Sequence, residues 1–275
     1  MALNFVIIGG GPAGNQAATY SARLGATVTM VERDVVGGAA HLWDCIPSKT
    51  MIATGGAMSF ARRIEGMGLD MMKPQIDRDS LRERVTGIED RLASSITEQL
   101  RSQGIRIIKG TARLDGPNMV LAEGVDGTIE RLPADAILVA TGTRPRIPEW
   151  CHPDGERILT TRDCYPPKEI PEHLVVVGSG VTGVEFVHMF SSLGSKVTLV
   201  VSRQQVLPQK DPEVAAVLED DFLRRGVSLL KGARATAIER DGDAVVVKCD
   251  DGRIVRATHA VLAIGSVAKI GRAHV

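Results

Sequence analysis

Aromatic residues are scarce: Phe, Trp and Tyr together make up 3% of the 275 residues. That argues against recognition of single-stranded nucleic acid, which relies on ring platforms for stacking. Net charge is missing too, because 33 Lys and Arg balance 33 Asp and Glu. Without a basic excess there is no counterpart for a phosphate backbone, and no nucleic-acid partner is expected. Intrinsic disorder is excluded, since 44% of the residues are hydrophobic and only 24% are charged.

Cysteine is sparse as well. Cys45, Cys151, Cys164 and Cys249 stand far apart and never as C-x-x-C. This is neither a secreted disulfide scaffold nor a zinc site, and the six His show no H-E-x-x-H spacing. No metal is expected. No apolar run approaches the roughly 18 residues of a membrane-spanning helix, and the N-terminus runs straight into glycines without a basic segment before them, unlike a signal peptide. The chain therefore reads as cytoplasmic, with no membrane insertion. Its length allows one large domain or two of ordinary size.

Glycine, by contrast, is abundant, at 29 residues. The apolar run Phe5-Val6-Ile7-Ile8 leads into Gly9-x-Gly11-x-x-Gly14, a helical segment to Leu24, and a second apolar run from Ala26 to Val31 that ends at Glu32. This order of strand, glycines, helix, strand and acid is the dinucleotide-binding fingerprint. Gly9 permits the tight turn, Gly11 lets backbone approach a pyrophosphate, and Gly14 lets helix and strand pack closely. The helix N-terminus offers its N–H groups to phosphate, and Glu32 can accept hydrogen bonds from ribose hydroxyls.

The pattern recurs. Leu174-Val175-Val176-Val177 is followed by Gly178-x-Gly180-x-x-Gly183, a helix to Leu193 and a strand from Lys196 to Val201. Two such units on one chain imply two nucleotides. The copies differ at the acid: Glu32 lies 18 residues after Gly14, whereas the eighteenth residue after Gly183 is Val201, followed by Ser202 and Arg203. A hydroxyl and a guanidinium with no carboxylate suit a 2′-phosphate, so the second site is expected to prefer NADPH to NADH.

Between the motifs, the small-residue-rich stretch from Gly37 to Ser59 leads into a helix. Residues 79–103 form a surface helix with Leu81, Val85, Ile88, Leu92, Ile96 and Leu100 at helical spacing. Residues 105–139 read as a β-meander. The run from Ala136 to Thr143 reads as a buried strand ending at a glycine turn, Arg144 to Pro148 as a linker, and Ala260 to Gly265 as a second strand with a glycine ending. The fold class is α/β, with two Rossmann-like units.

With these pieces placed, the chain resembles the flavoprotein (pyridine nucleotide-disulfide) oxidoreductases, the family that includes dihydrolipoamide dehydrogenase and glutathione reductase. The resemblance runs from Phe5 to about Ser266. It rests on Gly9 to Gly14, Gly37-Gly38, Cys45-Ile46-Pro47-Ser48-Lys49, Ala140-Thr141-Gly142, the second glycine motif with Glu185, and Ala263-Ile264-Gly265. It implies an FAD-binding domain over 1–148 and an NAD(P)-binding domain over 149–269, the second Rossmann-like unit being inserted in the first. The FAD contacts it implies are Gly9, Gly11, Pro12, Ala13, Gly14, Glu32, Arg33, Gly38, Lys49, Ala112, Thr141, Gly142 and Thr143. For NADP or NAD they are Gly178, Gly180, Val181, Thr182, Gly183, Ser202, Arg203 and Gly265. Lys49 would lie beside the flavin and pair with Glu185; with Cys45, these are the expected catalytic residues.

One departure decides the chemistry. The family carries a C-x-x-x-x-C redox pair, but here the segment is Gly37-Gly38-Ala39-Ala40-His41-Leu42-Trp43-Asp44-Cys45. Cys45 fills the flavin-side position, and Ala40 replaces the thiol that would exchange with a disulfide substrate. Exchange needs an attacking thiolate and a resolving partner, so neither dihydrolipoamide nor glutathione-disulfide activity is expected. Hydride transfer from NAD(P)H to FAD needs only positioned cofactors. The variant is similar to actinobacterial members that act as NAD(P)H:quinone reductases, and a quinone-type acceptor is the leading expectation. The alternatives are an NAD(P)H oxidase or peroxidase cycling Cys45 through a sulfenic acid, or a non-catalytic FAD/NAD(P)H-binding fragment.

After Gly265 the chain leaves the family pattern. Ile270 to Val275 can be encoded by a run similar to sequencing-adapter DNA, so 270–275 is expected to be a non-native tail on a shortened reading frame. The resemblance then implies that a C-terminal dimerisation domain, with its His–Glu pair for the partner subunit's site, is missing. A homodimer is expected for the intact protein.

Overall fold

The computed structural model describes residues 2–64, 67 and 74–269. The tail expected at 270–275 lies outside the described residues. Contacts divide the chain into two compact units, one of residues 1–46, 86–144 and 267–275, the other of residues 47–85 and 145–266.

The first unit opens with β1 (Asn4–Ile8), α1 (Pro12–Arg23) and β2 (Thr27–Glu32), then α2 (Ala39–Leu42). Two long helices, α3 (Cys45–Arg63) and α4 (Arg78–Ser102), start in one unit's share of the chain and end in the other's. β3 (Arg106–Leu114), β4 (Met119–Gly124), β5 (Ile129–Pro133), β6 (Ala136–Val139) and β7 (Thr143–Pro145) follow. The sheet order is β5-β4-β3-β2-β1-β6. β1 pairs in parallel with β2 on one side and β6 on the other. β3 divides its pairing: Arg106–Lys109 run parallel to β2, and Gly110–Leu114 run antiparallel to β4.

Alternation along the strands sorts side chains to two faces. Ile7, Val28 and Met30 pack with Ala18 of α1 and Leu100 of α4. Val6, Ile8 and Val31 pack with Val120, Ala122 and Leu132 from the antiparallel strands.

The second unit contains β8 (Ile158–Thr160), β9 (His173–Val177), α5 (Val181–Leu193), β10 (Lys196–Val201), α6 (Pro212–Arg224), β11 (Ser228–Lys231), β12 (Ala235–Asp241), β13 (Ala244–Cys249), β14 (Ile254–Ala257) and β15 (His259–Leu262), and the chain reaches β16 (Ser266–Ala268) as it leaves the unit. Its five-stranded sheet runs β11-β10-β9-β15-β8, and β12-β13-β14 form a separate antiparallel sheet. The layering of the first unit returns. Leu174, Val176, Leu199 and Val201 face α5 residues Phe186 and Phe190, while Val175, Val177, Val200 and Leu262 pack with Ile238, Val245 and Val247 of the antiparallel sheet. α6 begins at Asp211, whose carboxylate accepts the N–H groups of Glu213 and Val214, with Pro212 in the first turn.

Packing divides the chain differently from a single cut at residue 148. Met51 and Met58 of α3 and Leu81 and Val85 of α4 join the core that holds Phe186 and Leu199. Three local expectations need correction. The strand Ala136–Val139 is no part of the meander, because it pairs in parallel with β1. It is half-buried instead of buried, with Val139 37% exposed, since it is the edge strand of its sheet. The stretch expected as a linker begins as strand, because β7 pairs with β16. Among the described residues no helix is long and apolar enough to cross a membrane.

Candidate functional site

Strand order reverses beside β1 in the first unit and beside β9 in the second, the position where doubly wound sheets place ligands. In the first unit, Gly9 holds φ +109° and donates its N–H to Val31 O at 2.9 Å. A Cβ on Gly9 would sit 2.3 Å from Ala140 O, and one on Gly14 would sit 1.9 Å from Gly9 O. In the second unit Gly178 holds φ +110° and bonds Val200 O at 3.2 Å. There the corresponding Cβ distances are 2.5 Å to Ala263 O and 1.8 Å, from Gly183 to Gly178 O.

Gly11 and Gly180 are the N-caps of α1 and α5; neither helix has a side-chain cap, and both glycines face open space. Leading N–H groups without a side-chain acceptor, beneath space that a Cβ would enter, fit a pyrophosphate. Pro12, Ala13, Val181 and Thr182 lie exposed in these first turns, Val181 at 63%.

Around the first turn, Gly37 N–H donates to Gly10 O at 2.8 Å, and a Cβ on Gly38 would come within 2.8 Å of Gly11 Cα. Glu32 is buried; one carboxylate oxygen accepts Gly10 N–H and the other Asp34 N–H, both at 2.6 Å. Each oxygen keeps a further acceptor position. Thr141 follows β6 beside Gly9, and its hydroxyl donates to Lys269 O at 2.5 Å. Gly142 O accepts Lys269 N–H.

Arg33 pairs with Asp34 at 3.0 Å on the surface, which lowers the Asp34 carboxyl below its ordinary value. Ala112 lies along β3 opposite Ala122, and Thr143 begins β7. Of the expected set, the structure brings Gly9, Gly11, Gly14, Glu32, Gly38 and Thr141 together around one turn.

In the second unit, Ser202 and Arg203 are exposed just after β10, and Gly265 holds φ +90° with its carbonyl accepting Arg146 N–H. Lys49 Nζ lies 2.5 Å from Glu185 Oε1, so the expected pair forms. Ser48, which motif reading left out, is buried beneath it and donates to the same oxygen at 3.0 Å. Its signal was available in Cys45-Ile46-Pro47-Ser48-Lys49, one residue before the lysine.

The cysteines divide sharply. Cys45 is exposed at the start of α3, while Cys151, Cys164 and Cys249 are buried. Burial pushes all three buried thiols up, Cys151 to about 11. No disulfide joins any of the four. Ala40 lies in α2. Among the described residues no group of three His, Cys, Asp or Glu could hold a metal.

The sequence matches the pyridine nucleotide-disulphide oxidoreductases over residues 3–273, and the chain belongs to that family. It is 43% identical to an NAD(P)H dehydrogenase (quinone) of Mycobacterium tuberculosis, over 97% of this chain and 56% of that protein. To a dihydrolipoyl dehydrogenase of Zymomonas mobilis it is 33% identical, over 97% and 58%. The crystal structure of LpdA from Mycobacterium tuberculosis superposes with a TM-score of 0.89 at 41% identity, covering 99% of this chain and 62% of that one. The chain thus spans little more than half the length of the curated relatives it matches.

Two outcomes are expected from this geometry. Replacing Gly183 by Ala forces a methyl into Gly178 O and destabilises the second unit by at least about 2 kcal/mol; a lower urea midpoint by Trp150 fluorescence, in a Trp43→Phe background, checks it. In the folded chain a thiol reagent at pH 8 labels Cys45 rapidly and the three buried cysteines only on unfolding; peptide mapping of the labelled sites reads this.

Proposed function

We propose that this chain carries the FAD and NAD(P)H sites of an oxidoreductase that passes a hydride from NAD(P)H to FAD and then electrons to a quinone-type acceptor, with no dithiol relay. The observation that carries this reading is the thiol inventory: Ala40 stands where the exchanging cysteine would be, and the three cysteines other than Cys45 are buried with raised pKa values. The 43% identical relative named for quinone reduction supports the acceptor class.

In this reading the first glycine turn, with α1, binds the FAD pyrophosphate. Glu32 accepts ribose hydroxyls while its other bonds hold Gly10 and Asp34 in place. Bound FAD supplies two-electron acceptor chemistry. The second turn, with α5, binds the NAD(P)H pyrophosphate, and Ser202 and Arg203 receive a 2′-phosphate. The Arg203 guanidinium has no salt-bridge partner among the described residues, so it is available to an anion. Lys49 is held by Glu185 and Ser48 in one orientation, with its ammonium directed by two acceptors. We also assign a cytoplasmic location to the protein and, on family resemblance, a homodimer.

A second reading, a peroxide- or oxygen-reducing NAD(P)H oxidase using Cys45, is favoured by the exposure of that thiol.

One set of steady-state assays tests the proposal. Expected are quinone reduction with higher kcat/KM for NADPH than for NADH, no lipoamide reduction above a free-flavin background, and quinone turnover preserved in Cys45→Ser. Lipoamide turnover well above background overturns the absent relay, a higher kcat/KM with NADH overturns the coenzyme preference, and peroxide reduction abolished by Cys45→Ser establishes the second reading.

A further inference from the structure

Between β10 and α6 the chain folds back in the segment 202–211. Leu207 there holds φ +48°, the left-handed region, and is the only residue other than glycine to do so among the described residues. A branched side chain avoids that conformation unless its surroundings impose it. Three backbone donors impose it here. Leu207 N–H bonds Ser179 O, in the second glycine turn, at 2.8 Å. Val206 N–H bonds the Glu219 carboxylate at 2.8 Å. Gly232 N–H bonds Arg203 O at 3.0 Å. The segment bearing Ser202 and Arg203 is therefore pinned at both ends and tied to the turn.

Glu219 is the buried element of this arrangement. It projects from α6, its side chain is 12% exposed, and its second oxygen meets Lys231 Nζ at 2.7 Å. The first unit uses a carboxylate differently. Glu32, at the end of β2, binds the turn itself through Gly10 N–H. In the second unit that position is the buried Val201. A carboxylate there would repel a 2′-phosphate. Placing the anion on α6, neutralised by Lys231, holds the segment without offering negative charge to the coenzyme.

We propose that Glu219, with Lys231, is a positioning residue for coenzyme selection: it fixes the 202–207 segment so that Ser202 and Arg203 meet the 2′-phosphate of NADPH. This rests on the reading of the second unit as the NAD(P)H site. The glycine turn keeps its own supports, the Gly178 bond to Val200 and the Gly183 packing. Loss of Glu219 therefore acts on the 2′-phosphate contact and spares the pyrophosphate cradle.

The test is direct binding of NADPH and NADH, followed by nicotinamide fluorescence, to the whole chain and to two variants, with circular dichroism to check folding. Glu219→Leu leaves Val206 N–H and Lys231 without their acceptor, and the NADPH Kd is expected to rise about tenfold while the NADH Kd changes less than about twofold. Lys231→Met keeps the Val206 bond but leaves the carboxylate unneutralised; NADPH affinity is expected to fall about threefold with NADH again spared. The second variant carries the test if the first does not fold. Equal losses for both coenzymes, or no change in their ratio, overturn the positioning role. If the unaltered chain binds neither dinucleotide, the reading of the unit fails and this role fails with it. Normal binding with unchanged selectivity in the variants sinks the role of Glu219 alone.

Discussion

Backbone-on-backbone approach at the two glycine turns is the constraint on which the remaining architecture depends. At Gly14 and Gly183 there is no room for even one methyl group between the helix and the carbonyl of the glycine that follows the strand. That closeness sets how α1 leaves β1 and how α5 leaves β9. It thereby aims each helix's leading N–H groups at one spot. The strand on the far side takes part too, since Ala140 O and Ala263 O close on Gly9 and Gly178. Two segments with different side chains arrive at nearly the same distances because the fit is made by main chain.

On this shared frame the copies diverge electrostatically. The first ends its second strand with a buried carboxylate that serves the turn directly. The second ends the corresponding strand with a valine in the core and follows it with an exposed hydroxyl and guanidinium. A buried carboxylate must be paired or hydrogen-bonded. Glu32 meets that need with two backbone N–H groups, and Glu219 with one backbone N–H and Lys231. The difference in partner follows from where the negative charge is tolerable.

The proposed redox chemistry turns on a single exposed cysteine, Cys45. Three thiols are packed into cores where ionisation is disfavoured, and Ala40 stands five residues before Cys45. The Lys49–Glu185 pair contributes little to stability, because the lysine side chain is 65% exposed and such pairs are worth roughly 0–1 kcal/mol. Its value lies in orientation: Ser48, buried beneath it, anchors the same carboxylate oxygen.

Much of the fold was legible from residue order. Short apolar runs marked β1, β2, β9 and β10, and the glycine spacing located both turns. The fold class, α/β with two Rossmann-like units, followed from seeing that pattern twice. Those features are local, fixed by what a glycine or a branched residue permits over a few positions. Other features were decided only when distant segments met. The sequence could not reveal that α4 divides its apolar side chains between two cores, or that Ala136–Val139 sits at a sheet edge. Nor could it show that a buried glutamate on α6 holds the segment bearing Arg203. Each depends on which partner lies within 3 Å or 4 Å, and chain order does not set that separation. Local chemistry determined which nucleotide turns form, and tertiary packing decided which charged groups stand ready beside them.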